Sequence, residues 1–288
     1  YMPELPEVEV VRRSLEKFII GKIVKKVYIF NRDLRYKISN NLKIFVESQK
    51  ILSITRKSKY LLIKLNNSYT ILVHLGMTGK IFILKGNKTK KTSFYFDNNF
   101  KKKHNHFCFE FDQSCKLIYN DVRKFGFIKI FKSNEIYKCN HLRLLGPDPL
   151  SKKFKKNYLF ETAPKIKKNI KNFLMDQKYI SGIGNIYANE ILHLSSINPR
   201  KITNKLKKRF LINLIKNTKL ILKKSIIFGG SSIKDFKGTS GKKGRFQLNF
   251  RVYGREGLKC KKRGCKGIIK KIYISNRSSF YCTICQNN

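Results

Sequence analysis

Apolar residues recur at two different spacings along the chain, and each spacing predicts a different kind of element. Near the start, Val8, Val11 and Leu15 lie on one apolar face of a predicted helix. Pro6 suits the first turn of that helix, and Gly21 suits its end. Farther along, short β-type runs are separated by polar turns, which is typical of strands. The predicted strands are 23–30, 60–65, 70–75, 80–84, 106–111 and 125–131.

The spacing of apolar residues changes after the last of these strands. The segment 145–150, Leu-Gly-Pro-Asp-Pro-Leu, fits neither spacing and predicts a connection between domains. Helical spacing then predicts helices, the last of which ends at Gly229 and Gly230. The predicted helices are 153–161, 163–175, 186–195 and 201–227, and the predicted loops are 31–36, 86–99, 101–103 and 231–245.

These elements predict an α+β chain with two domains. Strands at this spacing suggest a sandwich or a barrel, and the helices that follow suggest a separate helical domain. A short β-rich module with four cysteines completes the chain, in which strands are predicted at 267–274 and 279–281. The predicted parts are a first domain at 3–146, a hinge at 147–153, a helical domain at 154–245 and the cysteine module at 246–288.

Composition adds a prediction about partners. The 288 residues include 64 lysines and arginines against 17 acidic residues, a net charge of +47. Such an excess favours a polyanionic partner, of which nucleic acid is the commonest. Lysine, asparagine and isoleucine recur everywhere, however, so part of the charge reflects the composition of the chain as a whole. An anionic membrane is a weaker alternative, because no long basic amphipathic helix is visible.

Targeting signals and cysteine usage suggest a cytoplasmic protein. No apolar run is long enough for a membrane helix, and the start lacks the basic and apolar parts of a signal peptide. Three of the seven cysteines, Cys108, Cys115 and Cys139, are scattered, and in a reducing compartment they are most simply free thiols.

The other four cysteines have the spacing of a zinc ribbon. Four residues separate Cys260 from Cys265, two separate Cys282 from Cys285, and sixteen lie between the pairs. Two such turns offer four thiolates to one tetrahedral metal, so we predict a structural Zn²⁺ rather than two disulfides. Arg277 lies between the pairs and is either a phosphate contact or a solvated side chain.

The first residues carry candidate chemistry. If Met2 is the initiator and is removed, Pro3 has a free secondary amine that can attack a sugar carbon, as lysine amines do in Schiff-base enzymes. Glu4 lies beside it and could transfer a proton. The alternative is an ordinary acidic helix start.

A glycine-rich joint is the remaining motif. Gly182 and Gly184 lie between helical stretches, where backbone amides, Asn185 and Lys178 could hold a phosphate. The alternative is a plain turn between helices. The segment does not follow a strand, so a dinucleotide-binding motif is a poor fit.

Taken in order, these motifs resemble those of the formamidopyrimidine-DNA glycosylases, nearly from end to end. The family consists of bifunctional glycosylase/lyases that excise oxidised purines such as 8-oxoguanine. The resemblance implies an N-terminal β-sandwich flanked by helices, a helix–two-turn–helix bundle and a four-cysteine zinc ribbon. The matching segments are 3–9, 59–62, 74–79, 121–126, 145–150, 174–190, 252–255 and the cysteine module.

The resemblance also implies roles for the residues of the first domain. Pro3 would attack C1′ of the damaged nucleotide, Glu4 would move protons and Glu7 would support that site. An iminium would form, and β- and δ-elimination would then cut the strand. Lys59 would contact phosphate and the damaged site. Three residues would fill the space left by the flipped base, namely Met77, Arg123 and Phe125.

In the second half, the resemblance implies contacts with the DNA backbone. Lys178 and Asn185 match the phosphate contacts of the helix–two-turn–helix, and Arg277 matches the arginine of the ribbon. The loop 231–245 would cover the flipped base. His74, His104 and His106 are expected to be structural. The implied partner is double-stranded DNA with oxidised purines or abasic sites, bound by a monomer in the cytoplasm near the nucleoid.

Three other functions compete with this one. Endonuclease VIII-like glycosylases act on oxidised pyrimidines, but they typically have glycine where this chain has Leu5. A binder of damaged DNA without catalysis follows if Pro3 stays inside a peptide bond, as it does in a chain that starts at Tyr1. A ribosomal or RNA-binding zinc-ribbon protein would explain the charge but not segment 3–7.

Overall fold

The α+β class is confirmed by the structure, a computed structural model that describes residues 2–86, 88–91, 101–112, 115–231 and 246–287. It forms two compact units, one of residues 1–143 with 228–245 and one of residues 144–227 with 246–288. The helices described are α1 (Leu5–Ile19), α2 (Asn41–Val46), α3 (Lys156–Thr162), α4 (Ile170–Met175), α5 (Asn185–Leu194) and α6 (Lys208–Ile227). The strands described are β1 (Val24–Ile29), β2 (Ile51–Lys57), β3 (Tyr60–Leu65), β4 (Tyr69–His74), β5 (Lys80–Lys85), β6 (Lys88–Lys91), β7 (Asn105–Phe111), β8 (Cys115–Asn120), β9 (Phe127–Lys132), β10 (Ile269–Ile274) and β11 (Arg277–Cys282).

The first unit is a sandwich of two antiparallel sheets. One sheet has the strand order β1-β7-β8-β5-β6 and the other has the order β2-β3-β4-β9. Phe107, Phe109 and Phe111 of β7 are all buried in one core with Ile63 and Ile71 of the other sheet. The apolar faces of both sheets therefore share this core, as in other aligned sandwiches.

Helix α1 closes the same core. Its residues Val8, Val11 and Leu15 are at most 1% exposed, because their spacing places them all on the buried face. Glu4 caps the N-terminus and Pro6 lies in the first turn. The chain leaves the helix after Ile19, and Gly21 has a φ of +80° that glycine adopts without strain.

The second unit combines helices with a hairpin. Strands β10 and β11 pair in antiparallel register, from Ile269 opposite Cys282 to Ile274 opposite Arg277. Helix α5 contacts both α6 and β11, and Tyr187 and Ile191 on it are fully buried. This helix is therefore the centre of the unit.

Several predicted element bounds were wrong. The segment 163–175 is not one helix, because Asn169 pairs with Ile202 in a β-bridge and then caps α4 by accepting from the Asn172 N–H. Because Ile202 is part of that bridge, α6 starts farther along the chain than predicted, at Lys208 rather than at residue 201. Strand β9 starts at Phe127, since Phe125 belongs to the preceding loop. The predicted loop 86–99 contains β6, and residues 87 and 92–99 of it lie outside the described residues.

The sequence patterns also left some elements unidentified. Helix α2 and strands β2 and β8 lie in stretches where polar residues interrupt the apolar pattern. Within the described ranges, no helix combines the length and the apolar character that a membrane crossing would need.

Candidate functional site

The carboxylates at the N-terminus of α1 form a reciprocal cap. The Glu4 N–H donates to Glu7 Oε2 at 2.9 Å, and the Glu4 side chain accepts from the Glu7 backbone N–H. Both side chains are buried, with Glu4 3% and Glu7 0% exposed. Pro3, also buried, comes directly before this cap. The two carboxylates thus have defined positions at the helix start, which directly follows the predicted nucleophile in the chain.

Glu7 has a further partner far along the chain. Its Oε1 accepts from the Ser231 N–H at 2.9 Å and from the Ser231 hydroxyl at 3.0 Å. The predicted covering loop 231–245 begins at this serine, and its residues 232–245 lie outside the described residues. Glu7 therefore fixes the start of that segment against α1, a contact that the sequence does not reveal.

A third buried carboxylate, Glu9, binds three arginines. Arg12 and Arg13 reach it from the same helix, and Arg56 Nε donates to its Oε2 at 3.0 Å from β2. Burial would raise the pKa of Glu9, but the hydrogen bonds from Arg12 and Arg13 and the charge of Arg56 outweigh it and lower this pKa. Glu9 is thus the anion that joins α1 to the hairpin β2-β3.

The same arginine reaches the turn that carries Lys59. Arg56 also donates from its Nη1 to the carbonyl oxygen of Ser58 at 2.8 Å, and Ser58 and Lys59 form the two-residue turn between β2 and β3. Beyond the turn lies His74, whose pKa is lowered to about 3 by burial and by the charges of Lys59 and Arg35. The imidazole is therefore neutral at physiological pH, and its Nδ1 accepts from the Gly76 N–H at 3.1 Å.

We expect Arg56→Met to destabilise the first unit by about 2 kcal/mol, because it removes one charged donor from the buried Glu9 carboxylate and one from the Ser58 carbonyl. It should also slow any step that depends on Lys59, since the turn loses its support. The matched control is Arg13→Met, which removes another partner of Glu9 whose side chain is 55% exposed. Thermal unfolding and excision rates measure both effects, and equal losses in the two variants would contradict the special role of Arg56.

Two loops at one end of the sandwich carry the predicted void-filling residues. We call loop 75–79, which contains Met77, and loop 121–126, which contains Arg123 and Phe125, the paired loops. Asp121 joins them, since it accepts from the Thr78 hydroxyl through Oδ1 and from the Gly126 N–H at 2.8 Å through Oδ2. This carboxylate is fully buried, and sequence reasoning did not single it out.

Glycine allows the paired loops to touch. A Cβ on Gly76 would overlap the backbone nitrogen of Gly126, and Gly76 also has a φ of +61°. In the facing loop Lys124 has a φ of +58°, which is unusual for a residue with a side chain. The two loops therefore pack directly against each other and are joined by hydrogen bonds through Asp121.

An open groove of about 550 Å³ lies over these loops. The exposed Arg123 guanidinium is 4.7 Å from the centre of the Phe125 ring, which is itself 44% exposed. Exposed aromatic and cationic groups on a rigid loop are suited to contact stacked bases. The groove is lined by Met2, Arg35, His74, Gly76, Met77, Arg123, Lys124 and Phe125.

In the second unit, a compact turn precedes helix α5. Gln177 organises it by accepting from the Gly182 N–H at 2.6 Å and donating to the carbonyls of Met175 and Ile183 at 2.9 Å. Gly182 has a φ of +96°, which explains a glycine at this position. Lys178 lies on the turn with an exposed side chain.

Asn185 contacts the hairpin at the residue that follows Arg277. The Asn185 amide donates to the carbonyl of Ser278 at 3.1 Å, and Arg277 is the exposed neighbour of that serine. Lys171 from α4 donates to the same carbonyl at 2.9 Å and to the Ser279 hydroxyl at 2.6 Å. The Lys171 side chain is fully buried. The sequence gives no sign of this, because lysines are common throughout such a basic chain.

The four predicted ligands are together at the end of the hairpin. The Sγ atoms of the four cysteines all lie within 4.8 Å of one another. Those of Cys260 and Cys285 are 3.9 Å apart, and those of Cys265 and Cys282 are 3.5 Å apart. Tetrahedral zinc with bonds of about 2.3 Å places its sulfurs about 3.8 Å apart, so the residues fit this metal.

The surroundings of the cluster affect its thiols differently, since burial raises the pKa of Cys260 and that of Cys285. A hydrogen bond from the Gly267 backbone lowers the pKa of Cys265 to about 7. A side chain at residue 267 would crowd the Cys282 sulfur, since a Cβ there would be 2.5 Å from it. The wide gap between Cys260 and Cys265 therefore still gives a closed set of four sulfurs.

The structure brings the predicted residues into two separate groups. Pro3, Glu4, Glu7, Lys59 and the side chains of the paired loops belong to the first unit. Lys178, Asn185, Arg277 and the cysteines belong to the second. His106 is a hydrogen-bonding histidine, with its Nε2 2.9 Å from the Asp121 carbonyl.

Comparisons with known proteins agree with this architecture. Residues 2–128 match the model of the formamidopyrimidine-DNA glycosylase N-terminal domain, and residues 145–237 match that of its H2TH domain. The formamidopyrimidine-DNA glycosylase of Rickettsia conorii is 41% identical over 286 residues, covering 99% of both chains. Two solved structures of the Lactococcus lactis enzyme cover 99% of this chain and 100% of theirs. One is a complex with DNA containing an abasic site, at 32% identity and a TM-score of 0.86. The other contains N7-benzyl-Fapy-dG DNA, at 33% identity and a TM-score of 0.86.

Proposed function

The chain belongs to the formamidopyrimidine-DNA glycosylase family, and from this premise we propose that Pro3 is the nucleophile of a combined glycosylase and lyase reaction. As a member of the family the protein is a DNA glycosylase of base excision repair. The proposed substrate is double-stranded DNA that contains oxidised purines, formamidopyrimidines or abasic sites. A member of this family whose chain begins at Pro3 has the free secondary amine that this reaction needs.

The proposed reaction begins at the sugar. The Pro3 nitrogen forms a bond to C1′ with its lone pair, and the bond from C1′ to the base breaks, so that the base leaves with the electron pair and takes up a proton. The nitrogen then loses its own proton, and its lone pair forms the C1′=N bond of an iminium as the C1′–O4′ bond breaks and O4′ takes up a proton. Loss of a C2′ proton then expels the 3′ phosphate, and a second elimination expels the 5′ phosphate.

The observation that carries this proposal is the capped helix start. Glu4 directly follows Pro3, is buried, and donates its backbone N–H to Glu7. Its carboxyl group is therefore suited to transfer protons to and from the reacting amine and sugar. Glu7 is engaged with Ser231 as well, which suits a supporting rather than a reacting role. Lys59, which lies near His74, supplies a positive charge for a phosphate.

The base must leave the helical stack before Pro3 can reach its sugar. We assign Met77 and Phe125 to wedging between the bases, because a thioether and an exposed ring are suited to fill the gap. Arg123 would hydrogen-bond the partner base that is left behind. Their common support on the paired loops keeps the three side chains together during this step.

The second unit would grip the backbone. Lys178 on its exposed turn and Asn185 at the start of α5 would bind phosphates, as helix N-termini do. Arg277 would bind a further phosphate with its guanidinium. A Zn²⁺ held by the four cysteines would order the hairpin that carries Arg277, without taking part in the chemistry.

We expect Cys282→Ser to lose the bound metal and to weaken DNA binding by at least about tenfold, because the hairpin depends on metal for much of its folding energy. A serine hydroxyl does not ionise at neutral pH and is a poor zinc ligand. The matched control is Cys139→Ser, which changes a half-buried free thiol outside the cluster. Metal analysis and fluorescence anisotropy measure the two effects, and full DNA affinity without metal would refute the role of the ribbon.

Substrate choice is tested with matched duplexes. The purified protein is incubated with 8-oxoguanine opposite cytosine, with an oxidised pyrimidine opposite its partner, and with an abasic site, each with and without borohydride. We expect 8-oxoguanine to be excised faster than the oxidised pyrimidine. With borohydride present, every duplex that the protein processes should yield a covalent adduct. Preference for the pyrimidine would instead support an endonuclease VIII-like specificity.

A further inference from the structure

Helix α5 presents a polar face to the ribbon. Asn185, Asn189 and His193 are spaced four residues apart, so they lie along one side of the helix. The first donates to the Ser278 carbonyl, and the second accepts from the Phe280 N–H at 2.7 Å. Glu190, beside them, accepts from the backbone N–H groups of residues 251, 252 and 253 at 2.9–3.0 Å. Three of these four residues thus bind backbone groups of the ribbon segment.

The partner of His193 is the sulfur cluster. Its Nε2 lies 3.2 Å from the Sγ of Cys260 and 3.8 Å from the Sγ of Cys285. The ring is 1% exposed, and its Nδ1 is buried without a hydrogen-bond partner among the described residues. A proton on Nδ1 would leave that donor unused and turn the Nε2 lone pair towards the sulfurs. The geometry therefore favours a neutral ring with its proton on Nε2.

His193 is outside the set of ligands. The four sulfurs are mutually within 4.8 Å and already complete a tetrahedral site. Four thiolates around a divalent metal carry a net charge of about −2, and N–H donors to sulfur offset that charge. The backbone N–H of Lys262 is one such donor to Cys260, at 3.4 Å.

We propose that His193 is a positioning residue for the metal centre, whose Nε2–H group donates to the thiolates of Cys260 and Cys285. It attaches the metal to the end of α5 that lies opposite Asn185, so one rigid helix joins the metal centre to the proposed phosphate contact. This inference rests on the proposed metal site.

The test compares His193→Phe with His193→Gln. Phenylalanine fills the space without a donor, whereas glutamine can place an N–H near the position of Nε2. After the metal content of each protein is measured, zinc release to a chromophoric chelator is followed. We expect release to be about 10–100-fold faster in the Phe variant, the usual effect of losing such a partner, and close to wild type in the Gln variant. Equal rates in wild type and the Phe variant would overturn the inference.

Spectra distinguish a donor from a ligand. Cobalt-loaded wild type and Phe variant should share the sulfur-to-metal charge-transfer bands of four thiolates. In wild type loaded with ¹¹³Cd, the Nε2 proton of His193 should couple to the metal through the hydrogen bond, and this measurement needs no variant. Direct coupling between ¹¹³Cd and the ring nitrogen would instead make His193 a ligand and overturn the inference. A wild-type protein without metal would overturn the metal site as well, whereas a loaded protein without the coupling overturns this inference alone.

Discussion

A chain that begins at Pro3 is expected to form a borohydride-stable adduct with damaged DNA, and the same chain with Tyr1 and Met2 still attached is expected to form none. In the longer chain the Pro3 nitrogen is part of a peptide bond, where resonance occupies its lone pair. The expected loss of covalent trapping is at least about 10⁴-fold, the scale on which removal of an enzyme nucleophile acts. Intact mass identifies each chain, and gel electrophoresis measures the adduct.

Two further arms make this comparison specific. Pro3→Gly, in a chain that begins at residue 3, replaces the secondary amine with a primary one that lacks the fixed geometry of the ring, and it should lower the yield of the adduct. DNA binding by anisotropy serves as the control, because the wedging and phosphate-binding side chains are untouched in every form. An adduct of undiminished yield from the longer chain would exclude Pro3 as the nucleophile and point to a lysine amine.

Glu4→Gln is expected to lower base excision by about 10²–10⁴-fold, the range of a positioned proton donor or acceptor. Glutamine keeps a carbonyl oxygen that can accept the Glu7 N–H, so the helix cap survives the change. Affinity for a duplex with an uncleavable abasic analogue should stay close to wild type. Single-turnover excision and anisotropy measure the two quantities separately.

The matched control for this variant is Glu16→Gln. Glu16 lies on the same helix with a side chain that is 46% exposed, and it pairs with Arg12. Its amide variant should excise at nearly the wild-type rate, since exposed pairs contribute little. Normal excision by Glu4→Gln would remove Glu4 from catalysis, and a loss of binding and excision together would indicate that Glu4 is structural.

The sequence predicted most of what depends on neighbouring residues. The apolar spacing of Val8, Val11 and Leu15 identified α1 and its buried face, because a helix repeats every few residues. The β-type run 106–111 predicted a strand for the same kind of reason, and its Phe107, Phe109 and Phe111 are buried in the core. The spacing of the cysteines was sufficient to predict that four sulfurs meet, since two short turns suffice to bring them together.

Element bounds failed where distant segments pair. Residues 163–175 have helical spacing, yet Asn169 pairs with Ile202 and interrupts the helix. The bridge forms between residues that are far apart in the chain, so no local pattern contains it. Tertiary context overrode local propensity there.

The contacts that support the site were also beyond local pattern. Asp121 joins the paired loops, Ser231 binds Glu7 across more than two hundred residues, and His193 of α5 contacts two cysteines of the module. The residues proposed to react were suggested by motifs and their order along the chain, through the resemblance to the family, and their roles stay a prediction. Packing chose their supports, because a buried polar group must find whichever partner the folded chain brings within hydrogen-bond distance.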